Sequence, residues 1–334
     1  MFIISSYSLA IMFSVVTMIC WGSWANTQKL ASKTWRFELF YWDYVIGIFL
    51  LSILMGFTMG SIGESGRGFV EDLGQITSTN YLNAFVGGAI FNLSNILLAA
   101  AVAISGLAVA FPLGVGIALV LGVFVNYFGE PKGNPYILFL GVFLITIAII
   151  LNGIAASKNS SKDNKQNNKG IVLALVAGVL MSFFYRFVAS SMDLSNFIAP
   201  EVGKATPYSA FFIFATGILI SNFIINTVVM KKPFVGAPVS YKEYFSGNTK
   251  THLIGVLGGI IWGIGTAFSY IASEKAGPAT SYALGQGAPM IAAIWGIFVW
   301  KEFKGSSKST NVLLLFMFIL FLTGLAAIVF SGAQ

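Results

Sequence analysis

Across 334 residues this chain has one cysteine, Cys20, and one histidine, His252. A lone cysteine cannot close an intrachain disulfide, and one Cys with one His falls short of the four side-chain ligands of a structural zinc centre. Charge is nearly as scarce. Asp, Glu, Lys and Arg make up 9% of the residues, against about 25% in an ordinary soluble domain. With no partner for Cys20 and a solitary His252, a membrane enzyme would have no nucleophile–base pair to work with, so the chain is read as a non-enzyme without a bound cofactor.

Hydrocarbon takes the place of charge. Hydrophobic residues account for 57% of the chain and the mean hydropathy is +0.83. Ten apolar segments stand out, at roughly 8–30, 37–60, 81–104, 107–128, 135–156, 170–192, 207–230, 252–274, 279–300 and 310–332. Each approaches the ~20 residues that cross a ~30 Å hydrocarbon layer as a helix. They are rich in Phe, Leu, Ile, Ala and Gly and lack the two-residue alternation of barrel strands. The first segment has no basic leader and is too long for a cleaved signal, so it is kept as a helix. The fold class is therefore all-α integral membrane, with ten transmembrane helices.

The polar stretch "SKNSSKDNKQNNKG" divides the chain. Residues 1–156 form an N-terminal five-helix unit, 157–169 a linker, and 170–334 a C-terminal five-helix unit. Of the 19 Lys and Arg, fourteen lie in the connections at 29–36, 158–169, 231–250 and 301–308, while the alternate connections hold Arg67, Lys132, Lys204 and Lys275. Positive connections stay cytoplasmic. The chain is thus expected to be a multi-pass protein of the cell (inner) membrane, with both termini on the periplasmic or extracellular side. The net charge of +7 reports topology and not a nucleic-acid partner. The expected partners are the bilayer and a small-molecule substrate, with the chain as monomer or homodimer.

The halves resemble each other. "GGAIFN…AISGLAVAFPLGVG" lies against "GGIIWG…SEKAGPATSYALGQG" at a constant offset of 171, which superposes Gly87, Gly88, Gly106, Gly114 and Gly116 on Gly258, Gly259, Gly277, Gly285 and Gly287. After a one-residue slip "EPKG" (130–133) meets "EFKG" (302–305). Weaker correspondence sets Trp21 and Trp24 opposite Phe184 and Phe187, and Gly47 opposite Gly217. Five helices per copy is an odd number, so the copies insert in opposite directions. Inverted repeats are the architecture of secondary transporters, whose substrate sites lie near the midplane between the repeats.

Polar side chains inside such helices are costly and mark candidate sites. Helix 1 carries Trp21, Trp24 and Gln28 on one face, with Asn26 and Lys29 on the next. Asn92 and Asn95 are three apart on helix 3 and so are neighbours. Helix 8 aligns Trp262, Thr266, Ser269, Tyr270 and Ser273, and helix 9 aligns Tyr282, Gln286 and Pro289. Amides, hydroxyls and aromatic rings together suit a small, neutral, polar ligand; a multidrug exporter would favour an apolar cavity.

Three charges stand apart. In "WRFELFYWDY" (35–44), Glu38 is at the mouth of helix 2, while Asp43 is about 9 Å along it at ~1.5 Å per residue. Arg186 is ~24 Å along helix 6 from the same side, which disfavours an Asp43–Arg186 pair and makes Arg186 a ligand or helix-end contact on the outer side, or a snorkelling residue. Lys29 is the better-placed partner for Asp43. A carboxylate poised between desolvation and a nearby charge can exchange a proton as a cavity alternates between sides. Asp43, with Glu38 and Lys29 beside it, is thus the proposed proton-coupling group; a structural Lys29–Asp43 or Glu38–Lys29 pair is the competing account.

"CWGSWANTQKLA" followed by "WRFELFYWDY" resembles the first two helices of the ureide permeases, a family within the drug/metabolite transporter superfamily. The resemblance spans all ten helices. It implies a ten-helix inverted-repeat fold and proton-coupled import of allantoin, uracil and related oxo-heterocycles, driven by a proton gradient. Trp21, Asn26, Gln28, Lys29, Glu38, Trp42 and Asp43 match the family's motif positions. Plant members carry a long central loop with a nucleotide-binding-like motif. Here 157–169 is short and has no GxxxxGK[ST], so the chain looks like a bacterial relative without ATP dependence. Bacterial relatives also resemble glucose/ribose and rhamnose porters, so a sugar or nucleoside remains the alternative substrate.

Overall fold

A computed structural model describes residues 1–31, 35–105, 107–159 and 168–333. Lys33, Gly106, Lys162, Lys165 and most of the linker lie outside them. The N-terminal half contains α1 (Tyr7–Ser23), α2 (Ala25–Ala31), α3 (Phe37–Phe57), α4 (Phe69–Gln75), α5 (Ser78–Ser105), α6 (Leu107–Gly129) and α7 (Pro135–Asn159). The C-terminal half contains α8 (Asn168–Ser191), α9 (Pro207–Lys231), α10 (Tyr241–Phe245), α11 (Thr249–Ala276), α12 (Pro278–Gly285), α13 (Ala288–Ile294) and α14 (Lys308–Gly332). A π turn, Trp295–Val299, follows α13.

Among the described residues, ten stretches are long and apolar enough to cross a bilayer, the number the hydrophobic runs predict. They are α1 with α2, then α3, α5, α6, α7, α8, α9, α11, the α12–α13–π segment, and α14. In hydrocarbon the backbone must satisfy its own hydrogen bonds, which selects the helix for these runs. Polar residues set where the helices begin. Asn248 Oδ1 accepts the Thr251 N–H at 2.8 Å to start α11, and Thr206 Oγ1 accepts the Ser209 N–H at 3.4 Å to start α9, with Pro207 in the first turn.

Among the described residues, two of the spans are broken. The first interrupts at Trp24, between α1 and α2. The ninth interrupts at Gln286 and Gly287, and the helix restarts at Ala288 with Pro289, which has no N–H to continue the ladder, in its first turn. The two breaks touch each other. A Cβ on Gly22 would stand 2.5 Å from the carbonyl oxygen of Ala288.

The tightest helix crossings come in a matched pair. Where α3 crosses α11, a Cβ at Gly47 would lie 2.2 Å from Val256 O and one at Gly259 would lie 2.0 Å from Tyr44 O. Where α9 crosses α5, a Cβ at Gly217 would lie 2.1 Å from Phe85 O and one at Gly88 would lie 2.1 Å from Phe214 O. Offsets of 170 on α3/α9 and 171 on α5/α11 carry one set of contacts onto the other. The turns "EPKG" and "EFKG" also end alike, with Gly133 at φ 79° and Gly305 at φ 82°. The rest of the packing follows the same pairing: α1 lies on α11 and α12, α8 lies on α5 and α6, and α7 packs against α14.

Aromatic rings fill the middle of the molecule. Trp262 is their hub, with ring centroids of Phe91 at 4.3 Å, Trp21 at 6.0 Å, and Tyr44 and Phe214 at 6.2 Å.

Candidate substrate site

Beside the two helix breaks is a cavity of about 90 Å³, walled by Trp21, Trp24, Asn95, Trp262 and Gln286, with Phe91 behind. No charged side chain lines it. The indoles of Trp21 and Trp262 are within 9° of parallel. Trp21 is held in its plane by Thr266: the indole Nε1–H donates to Thr266 Oγ1 at 3.1 Å, and that hydroxyl donates to the Trp262 carbonyl at 3.2 Å. The two amides each offer a carbonyl acceptor and an NH₂ donor. Flat apolar faces beside paired donors and acceptors suit a small planar amide or a ring of hydroxyls. The volume admits about three waters at ~30 Å³ each, below the ~300 Å³ of a typical ligand site. The walls are drawn in around the site in this conformer.

A larger opening of about 520 Å³ enters between α2, α3, α5 and α9 from the face that carries the lysine-rich connections. Gln28 and Glu38 line it, together with Ile96 and Ala99 of α5. Asn95 and Leu98, on the same helix, face the inner cavity instead. At this boundary Asn95 Nδ2 donates to the Tyr41 hydroxyl at 3.3 Å, and Tyr41, Tyr44 and Trp24 form a contiguous aromatic layer.

Asp43 is elsewhere, at the lysine-rich end of α3 with 2% of its surface exposed. Its Oδ1 accepts from the Tyr244 hydroxyl at 2.7 Å and lies 2.8 Å from His252 Nδ1. Burial, and then the Asp43 carboxylate, push the Tyr244 hydroxyl above the ordinary phenol range, which keeps it a donor. The pairing expected with Lys29 gives way to another. Lys29 forms an ion pair with Glu302 and sits over the Trp300 ring at 4.4 Å, while Glu38 pairs with Arg36 at 2.6 Å. Along the chain His252 stands alone because its partner is 209 positions away. A depth comparison would have found it. Asp43 is about 9 Å into α3 and His252 about 5 Å into α11 from the same face, at ~1.5 Å per residue.

The remaining candidates are dispersed. Asn26 is spent on the α2–π-turn contact, accepting from Trp300 Nε1 at 2.5 Å and donating to Ser23 O at 2.8 Å. Asn92 turns from Asn95's cavity toward α9, donating to Ser221 Oγ at 2.9 Å. Trp42 also faces α9, with its Nε1–H 3.1 Å from Met230 Sδ. Tyr282 is fully buried and donates to the Ala118 carbonyl at 3.0 Å; Tyr270 packs among Tyr185, Phe211 and Phe214. Arg186 is at the opposite face, in a depression with Glu130, Asp193 and Lys204. Nearby, the Lys132 ammonium donates to the Glu274 carbonyl, and burial holds it below the usual lysine range against the pull of the Glu274 charge.

Comparison with known proteins gives a consistent picture. A family model described as ureide permease matches residues 40–170 and 164–331. Ureide permease 1 of Arabidopsis thaliana is 25% identical over the whole of both chains. A probable glucose uptake protein of Staphylococcus aureus is 22% identical over 68% of this chain and 71% of its own. A solved crystal structure covering 97% of this chain and 96% of that one superposes with a TM-score of 0.62 at 15% identity, a likeness of fold.

Proposed function

This chain belongs to the ureide permease family, and from that premise we propose that it imports a small, neutral, polar heterocycle of the allantoin, uracil or oxo-purine kind by proton symport. It is a multi-pass membrane transporter and not an enzyme. The observation that carries the substrate class is the uncharged cavity where Trp21 and Trp262 present near-parallel rings beside the Asn95 and Gln286 amides. An oxo-heterocycle offers a flat π-face to the indoles and alternating N–H and C=O groups to the amides. Its neutrality matches a site without a counter-ion.

Transport by alternating access is supported by the matched crossings and by the broken first and ninth spans that meet at the cavity. They are the features of two inverted five-helix repeats, residues 1–156 and 170–334, around a midplane site. The lysine-rich face is the cytoplasmic one, which puts both termini outside the cell and makes the 520 Å³ opening a cytoplasmic vestibule. Asp43 is the coupling carboxylate, buried in a helix where an unneeded charge would be costly.

A second reading, import of a monosaccharide such as ribose or glucose, is favoured by the likeness to the glucose uptake protein. The two readings part in a thermal-shift panel of purified protein with allantoin, uracil, xanthine, uridine, ribose and glucose. A ligand at 100 times its Kd stabilises the folded state by ~2.7 kcal/mol. Heterocycles are expected to raise the melting temperature; a rise with sugars alone refutes the heterocycle reading.

A further inference from the structure

We propose that the coupling proton is held by Asp43 and His252 jointly, as one proton-binding pair bridging α3 and α11, and that Tyr244 on α10 tunes it. This deepens the symport reading above and rests on it.

The geometry isolates the pair. His252 Nδ1 and the Tyr244 hydroxyl both converge on Asp43 Oδ1, while Oδ2 is buried without a hydrogen-bond partner. An ionised carboxylate left half-satisfied out of water is poorly solvated, so a proton on the pair relieves the site. The Trp35 ring stands edge-on to the imidazole at 5.2 Å. The carboxylate is 3% exposed and the imidazole 26%. His252 is therefore the member through which the lysine-rich face reaches the proton in this conformer.

The neighbouring charges are engaged elsewhere. On α3, Glu38 is paired with Arg36, which also donates to the Val235 carbonyl at 3.2 Å. On α10, Glu243 Oε2 caps the Ser240 N–H at 2.6 Å and Lys242 is exposed. Lys250, on α11, is exposed, and α9 meets this part of α3 with Asn226 and Met230. Among the described residues, His252 is the ion-pair partner that reaches Asp43.

Packing does not require the acid. Asp43 sits over Gly255, where a Cβ would come 2.4 Å from its own Cβ. At the matched crossing of α9 and α5, the same offsets give Ile213 and Ala84, both fully buried. Two apolar side chains complete that crossing, so a carboxylate is dispensable for bringing the helices together. A proton site built into one of two equivalent crossings ties protonation to the relative position of α3 and α11, the helices that carry Tyr44 and Trp262 to the aromatic layer and the cavity. Only O–H and N–H bonds form and break: one proton is bound from the outer side, and the same proton is released at the lysine-rich face.

Purified full-length protein in proteoliposomes tests this, with radiolabelled allantoin and ribose as probes. In the wild type an inwardly directed proton gradient, acid outside, is expected to drive accumulation of one of them. Asp43→Asn and His252→Gln are each expected to bring the accumulation ratio down to one while counterflow exchange persists. Tyr244→Phe is expected to move the pH midpoint of uptake. Independently of substrate, the pH titration of tryptophan fluorescence is expected to show a step that disappears in both His252→Gln and Trp35→Phe. If the wild type exchanges a probe without responding to the gradient, or transports neither, the symport or substrate reading fails. If the wild type accumulates and His252→Gln does so with an unchanged pH profile, the pair is refuted while symport stands. Loss of the folded state in both Asp43→Asn and His252→Gln, seen by melting, would make the pair a structural clip and also overturn the proposal.

Discussion

The indoles of Trp21 and Trp262 lie 6.0 Å apart, centre to centre, and within 9° of parallel. Two rings that sandwich a third at van der Waals contact need about 7 Å, twice the ~3.5 Å carbon–carbon distance. Admitting a planar ligand between them requires α1 and α11 to part by about 1 Å or more. Trp21 is tied to α11 through Thr266, so that separation reaches the first broken span directly.

Trp262→Ala is expected to weaken substrate binding. Stacking of a heterocyclic base on an aromatic side chain is worth ~1–3 kcal/mol, or about 5- to 150-fold in Kd. Titration calorimetry with the ligand found in the thermal-shift panel measures it. Gln286→Leu removes a donor and an acceptor from the same wall and is expected to weaken binding of the same ligand by tenfold or more. An unchanged Kd in both would remove this cavity as the site.

The matched crossings predict matched sensitivities. Gly47→Ala and Gly217→Ala each drive a methyl to within 2.2 Å of a facing carbonyl oxygen. Overpacking of this kind costs about 1–3 kcal/mol. Both variants are expected to melt at lower temperature in detergent, by similar amounts. A large loss for one and none for the other would show that the two crossings are not mechanically equivalent.

Lys29→Met is expected to leave gradient-driven accumulation intact. Its ion pair with Glu302 has side chains 43% and 45% exposed, and exposed pairs contribute ~0–1 kcal/mol. Collapse of accumulation in this variant would restore Lys29 to the coupling site in place of His252.

On the opposite face, burial pushes the Asp193 carboxyl up, but hydrogen bonds from Ser195 and from the Glu201 N–H outweigh it and hold it below its ordinary 3.8. A carboxylate lowered in the folded state binds fewer protons there than in the unfolded chain, so its contribution is complete above the ordinary pKa and disappears as pH falls through the lowered value. Asp193→Asn is expected to flatten the acid limb of the melting-temperature profile below about pH 4. An acid limb identical to the wild type would contradict this assignment.

Ten hydrophobic runs, the scarcity of charge and the lysine-rich connections were legible along the chain because a bilayer imposes its thickness and its polarity on every span alike. The glycine register was legible for a similar reason: close helix contact restricts side-chain size at particular positions, and a repeated restriction leaves a repeated residue. Trp21, Trp24 and Gln28 could be grouped from helical period alone, but their fates separated. The break at Trp24 turned the end of span 1, and it sent Gln28 to the vestibule while the tryptophans kept the cavity. Asn92 and Asn95 look interchangeable by spacing; the α9 contact claims one and the cavity keeps the other. The partner of Asp43 was decided by tertiary structure alone. Periodicity places a side chain on a face and at a depth of its own helix, but which helix lies across from that face depends on packing between segments two hundred residues apart. That packing put His252, the chain's one histidine, against the buried Asp43 near the start of α3.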